Sequence, residues 1–174
     1  MPRINTEIPG WMGEEELEWL YEQAAKYKSV VEVGSWMGRS TYALCSGCKG
    51  TVWAVDHFKG SPSELDECHA IAKTQDISEK FRENVGHFKN LKVLRLSSVI
   101  AATLFEDKEV EMVFLDGEHT YESVLSDLQA WIPNCSKLLC GHDINRKQVV
   151  AALEAMNLIW FTPPGTTLWY VNAD

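Results

Sequence analysis

The chain has 174 residues, 45% of them hydrophobic, which is enough for one domain with a full core and little more. Its formal net charge is −9 and no basic stripe is visible, which disfavours a nucleic-acid partner because phosphate contacts dominate that affinity. No apolar run approaches the roughly 20 residues of a membrane span, and Met1-Pro2-Arg3-Ile4-Asn5-Thr6 lacks the apolar stretch of a signal peptide, so a single cytoplasmic domain over residues 1–174 with no membrane partner is expected.

Trp11 to Lys26 reads as an amphipathic helix with Leu17, Leu20, Tyr21 and Ala24 on one face. The acidic run Glu14-Glu15-Glu16-Glu18 reads as its solvated start, favoured by the helix dipole. Ser29 to Val33 is a strand, Gly38 to Ser46 a helix stopped by Gly47 and Gly50, and Thr51 to Val55 the second strand. A polar stretch from His57 to about Asp76 contains Gly60-Ser61-Pro62 and a helix from Glu64. Ile77 to Phe88 reads as helix, Leu91 to Leu96 as the third strand and Ser97 to Phe105 as a short helical connection. Val110 to Leu115 is nearly all apolar, as a central parallel strand is. His119 to Ile132 is a helix stopped by Pro133, Lys137 to Cys140 the fifth strand, and Arg146 to Met156 the last helix. Leu158 to Thr162 and Thr167 to Val171 flank Pro163-Pro164-Gly165-Thr166 and read as a terminal hairpin. The alternation predicts an α/β, Rossmann-like doubly wound sheet with helices on both faces.

The run Val30-Val31-Glu32-Val33-Gly34-Ser35-Trp36-Met37-Gly38 is a strand ending in a glycine turn before a helix, where backbone is free to approach a ligand. About twenty residues on, the second strand ends in Asp56, and a carboxylate there can accept two hydrogen bonds from a ribose diol. Trp36 stands where a dinucleotide fold requires glycine, which disfavours a nicotinamide dehydrogenase, and Glu32 suits a ligand carrying an ammonium group. S-adenosylmethionine (SAM) has the adenosine and the ammonium and no phosphate. The segment resembles motif I of class I SAM-dependent methyltransferases, in the small-molecule branch whose loop reads Glu-x-Gly-Ser/Thr-x-x-Gly-x-Ser. That resemblance implies seven strands in the order 3-2-1-4-5-7-6 with strand seven antiparallel, and a ligand crevice at the ends of strands one and four. It also implies cofactor contacts from Glu32, Gly34, Ser35, Gly38, Asp56, His57, Phe58, Ser97, Ser98 and Asp116, with an aromatic at Phe58 lying on the adenine.

Strand four ends Asp116-Gly117-Glu118-His119-Thr120-Tyr121 and strand five ends Gly141-His142-Asp143. Asp116 and Asp143 can hold a hard divalent cation such as magnesium through oxygen, and His119 can take a hydroxyl proton near neutral pH. The pair of motifs resembles the macrolide-sugar and aminocoumarin-sugar O-methyltransferases, which implies Asp116 as metal ligand and His119 as base. Those enzymes carry two adjacent acids after strand five. Here His142 replaces the first, and imidazole suits a softer metal than magnesium.

The expected function is O-methylation of a small-molecule hydroxyl, with a sugar as one substrate class. The alternative is a catalytically inactive SAM-binding regulatory or accessory protein, which the short chain and the replaced acid permit. Trp11-Met12 and the segment from Lys59 to Asp76 are where specificity is expected, and an open site leaves room for completion by a second copy in a homo-oligomer. Five cysteines, including Cys45-x-x-Cys48, read as buried reduced thiols.

Overall fold

The computed structural model describes residues 3–61, 71–72, 74–107 and 109–172. The helix expected from Glu64, most of the specificity segment that contains it, and Cys68 lie outside the described residues. The strands are β1 (Ser29–Val33), β2 (Thr51–Val55), β3 (Leu91–Leu94), β4 (Val110–Leu115), β5 (Cys135–Gly141) and β6 (Trp169–Asn172). The helices set between them are α1 (Glu14–Ala24), α2 (Arg39–Gly47), α3 (Ile77–Val85), α4 (Ser98–Ala102), α5 (Tyr121–Trp131) and α6 (Lys147–Ala155). None is long and apolar enough to cross a membrane.

The six strands form one sheet in the order β3-β2-β1-β4-β5-β6, with β6 antiparallel to β5 and the rest parallel. The expected Leu158–Thr162 strand shrinks to a single bridge between Phe161 and Tyr170. On the side of the turn the next hydrogen-bonded pair, Pro163 with Leu168, would need an N–H that proline lacks, so the bridge does not extend in that direction. The antiparallel last strand lies against β5 as expected, and the edge strand expected beyond it, the sixth in chain order, is reduced among the described residues to that bridge.

Both faces of the sheet are covered, which is why β1 and β4 are mainly apolar, broken only by Ser29, Glu32 and Glu111. On one face Leu17, Leu20 and Ala24 of α1 pack with Leu44 of α2 over Val30, Met112 and Phe114. On the other, Val124, Leu128 and Trp131 of α5 and Val149, Ala152 and Leu153 of α6 cover Val31, Val113 and Leu139. The registers align the strand ends: Val33 pairs with Val55 and with Leu115, and Leu115 pairs with Gly141. The next residue in each case, Gly34, Asp56, Asp116 and His142, therefore falls in one row along the C-terminal edge of the sheet. That row straddles the point where strand order reverses between β1 and β4, the usual ligand crevice of open α/β sheets.

Candidate active site

A cleft of about 470 Å3 opens over this row. Its walls include Trp36 and Ser35 after β1, Asp56 and His57 after β2, Ser97 and Ser98 after β3, and the ends of β4 and β5.

Asp56 ties two of these loops together. Its Oδ2 accepts the Trp36 N–H at 2.8 Å and its Oδ1 accepts the Phe58 N–H at 2.6 Å. Each oxygen keeps a further lone pair, so the carboxylate can still receive a diol. Burial raises its pKa above the ordinary carboxylate value, opposed by those two amide bonds. Trp36 adopts a positive φ of 48°, rare for a bulky residue, and its ring lies 5.4 Å from that of Trp11 at the cleft wall.

Glu32 is fully buried behind the loop and does not reach the cleft wall. Its oxygens accept hydroxyls from the first turn of α2, Ser40 at 2.5 Å on one and Thr41 on the other. Burial pushes its pKa up to about 7 against the pull of those hydroxyls. Glu32 thus locks β1 to α2. Gly34 also has a different role from the one its spacing suggests. At φ 85° a Cβ there would lie 2.0 Å from the Asp116 carbonyl oxygen, so the missing side chain makes room for the β4 loop, while the Gly34 backbone itself lines the cleft. Gly38, at φ 92°, is the left-handed N-cap of α2 and packs beneath Val85 and Phe81. Phe58 is turned inward: its ring sits 5.1 Å from Phe81 in the core, so His57, not Phe58, faces the cleft. A positive φ of 59° at Phe58 turns its side chain away, which alternation along β2 does not foretell. Ser98 Oγ accepts the Trp131 indole N–H at 2.9 Å, and Ser97 is the N-cap of α4.

At the β4–β5 end, four predicted residues meet. His119 Nε2 lies 2.8 Å from Asp143 Oδ2 and 3.7 Å from Asp116 Oδ1. His142 Nδ1 lies 3.2 Å from Asp143 Oδ2 and 3.7 Å from Asp116 Oδ1. One ligand atom from each of Asp116, His142 and Asp143 falls within 4.8 Å of the others, close enough to share an ion. Asp143, at φ 60°, does not cap α6, whose N-cap is Arg146. Instead Arg146 Nε donates to Asp143 Oδ1 at 3.2 Å. Burial alone would lower the pKa of both imidazoles, but the adjoining carboxylates outweigh it and raise each to about 10. Burial would raise the Asp143 carboxyl, but the two imidazoles together outweigh it and hold it well below the usual carboxylate range.

Three participants were not legible in the sequence. Glu16 belongs to an acidic run that looks solvated, yet it is buried: Oε2 accepts the Gly13 N–H at 2.9 Å, and Oε1 lies 3.3 Å from His142 Nε2. Its position three residues after a helix start signals only the first contact. Thr167 reaches both Glu16 and His142 from the far end of the chain. Asp127 of α5 enters the cleft wall buried, and burial raises its pKa to about 6 despite a hydrogen bond to Ser98. The four described cysteines are buried free thiols, and burial raises those of Cys45 and Cys48 above the ordinary thiol value.

A family profile described as a methyltransferase domain matches residues 31–144, which holds β1 through the β5 loop. The Sinorhizobium fredii protein y4gI is 28% identical over 119 residues, covering 68% of this chain, and this chain spans only 13% of that relative. Among solved structures, a Podospora anserina methyltransferase bound to S-adenosylhomocysteine (SAH) is 11% identical, with a TM-score of 0.64 over 94% of this chain and 80% of its own. An O-methyltransferase from Bacillus cereus in complex with SAH is 15% identical, with a TM-score of 0.61 over 95% of this chain and 84% of its own.

Proposed function

The chain belongs to the methyltransferase-domain family and has the fold of its SAH-bound structural neighbours, and on that premise we propose that it moves a methyl group from SAM to a hydroxyl of a small molecule. The observation that carries this reading is one cleft holding Asp56 at one end and His119 with Asp116 and Asp143 at the other. A nucleoside anchored at Asp56 extends along the strand ends toward the imidazole. Bound SAM supplies an electrophilic methyl group on a sulfonium, and the chain's residues do the rest.

Asp56 holds the ribose diol with the lone pairs its two amide bonds leave. Trp36 and His57 form walls, and Ser97 offers a hydroxyl at the neighbouring edge, where Ser98 is already engaged by Trp131 and Asp127. Glu32, Gly34 and Gly38 act indirectly by fixing the loop. His119, its ring oriented by Asp143 at 2.8 Å, takes the proton of the acceptor hydroxyl in its neutral form, which the adjoining carboxylates, by raising its pKa to about 10, confine to alkaline pH in the metal-free site. Holding donor and acceptor in line is the larger contribution, because methyl transfer needs nucleophile, carbon and leaving sulfur aligned.

Asp116, His142 and Asp143 suit a divalent cation, two oxygens and one imidazole nitrogen being a donor set for a borderline metal better than for magnesium. Such an ion would supply positive charge that polarises the hydroxyl and eases loss of its proton. The test is SAH binding by calorimetry, followed by transfer of labelled methyl from SAM to a panel of hydroxylated small molecules, sugars included. Absence of SAH binding at millimolar concentration removes the reading. Binding without transfer to any acceptor supports the accessory-protein alternative.

A further inference from the structure

His142 is gripped on every side that does not face the acidic pair. Its backbone N–H donates to Leu115 at 3.2 Å, and its carbonyl accepts the Trp169 indole N–H at 3.1 Å. Its Nε2 lies 2.9 Å from Thr167 Oγ1, which in turn lies 2.8 Å from Glu16 Oε1. The same Glu16 oxygen accepts the Thr167 backbone N–H at 2.8 Å, and the other accepts Gly13.

Proton bookkeeping along this row has one good solution. A hydroxyl has a single hydrogen. A Thr167 oxygen turned lone pair first toward a carboxylate oxygen at 2.8 Å would be repelled, whereas donation to it is a charge-assisted bond. Thr167 therefore donates to Glu16 and accepts from His142, and the hydrogen it accepts sits on Nε2. Nδ1 is left facing Asp143 and Asp116, at 3.2 and 3.7 Å.

We propose that Glu16 and Thr167 are positioning residues that fix the tautomer and ring orientation of His142, so that Nδ1 is the nitrogen presented with Asp116 and Asp143 to a divalent cation. This rests on the cation site proposed above and adds to it two residues, from the first helix and from the segment before β6, that never touch the ion. The arrangement follows a general rule: a metal-binding imidazole holds its other ring N–H against an acceptor, which sets the tautomer. It also makes the site depend on chain segments 151 residues apart.

The test uses zinc, which is diamagnetic, with the whole chain and two variants. Thr167→Val removes the hydroxyl but keeps the backbone bond to Glu16, and Thr167→Ser restores the hydroxyl. In the zinc-loaded wild type, imidazole 15N spectra should show His142 bound through Nδ1 with hydrogen on Nε2. Thr167→Val should lose about ten-fold or more in zinc affinity by calorimetry, the usual cost of removing such support, and Thr167→Ser should recover it. Ligation through Nε2, or equal zinc affinity in all three proteins, overturns the proposal while leaving the cation site standing. No zinc binding to the wild type overturns both. SAH binding, measured alongside, reads the methyltransferase assignment separately.

Discussion

The Trp36 amide donates to Asp56 Oδ2 across 2.8 Å, so the side chain that ends β2 holds the loop that ends β1. The same Oδ1–Oδ2 pair also accepts Phe58, and one carboxylate thus sets the shape of two cleft walls while remaining available to a ribose.

Asp56→Ala should therefore show two effects together. SAH binding should weaken by about 1–3 kcal/mol as charge-assisted bonds are lost, and the unliganded protein should melt lower because two buried N–H groups lose their acceptor. Calorimetry and thermal unfolding of the unliganded variant measure the two. Weakened binding with an unchanged melting temperature would show that the loop is held by other contacts.

Gly34→Val should act on the fold, not by filling a ligand site. Its Cβ would strike the Asp116 carbonyl and the Gly117 amide at 2.0 and 2.8 Å, and neither backbone atom can retreat without parting β1 from β4. A loss above about 4 kcal/mol, at the extreme of single substitutions, is expected and would be seen as insoluble or unfolded protein. A folded Gly34→Val variant that merely fails to bind SAH would point instead to a steric block in the cleft.

His119→Ala should leave SAH affinity unchanged and lower kcat about 100- to 10,000-fold, the range of a lost general base, with a smaller change in KM. Chelator should reduce turnover as well if Asp116, His142 and Asp143 hold a cation during transfer. Full activity after chelation would leave His119 to act without a metal.

Glu32 should make stability depend on pH. Its pKa is raised from 4.5 to about 7 by burial, so the folded state binds this proton more tightly than the unfolded state. The stabilisation is complete below about pH 4.5 and is lost as pH rises through about 7, a swing of roughly 3 kcal/mol at most. Glu32→Gln, which keeps an acceptor for Ser40 or Thr41, should flatten this part of the profile in urea unfolding between pH 5 and 8. Parallel profiles for the two proteins would show that the carboxyl is not the group responsible.

The strands and most helices were legible because their signals are local. Apolar runs such as Val110–Leu115 and stops such as Pro133 act within a few residues, and the observed β4 has the expected bounds while α5 ends at Trp131. The cluster of Asp116, His119, His142 and Asp143 was legible for a related reason: each follows the end of a strand, and parallel strands at a switch point bring such ends together. The strand expected over Leu158–Thr162 is reduced to the Phe161–Tyr170 bridge, an outcome that its apolar pattern does not register.

What the sequence by itself determined is thus the class of sheet, the position of its crevice and the residue types that reach it, because periodicity and turn chemistry are short-range. Only the tertiary structure decided which of those residues face the cleft. A positive φ turned Phe58 into the core, the Asp116 carbonyl took the space where a Gly34 side chain would stand, and burial drew Glu16 out of a solvated run to Thr167. Each depends on contacts between segments far apart in the chain, whose distance and register no local pattern encodes.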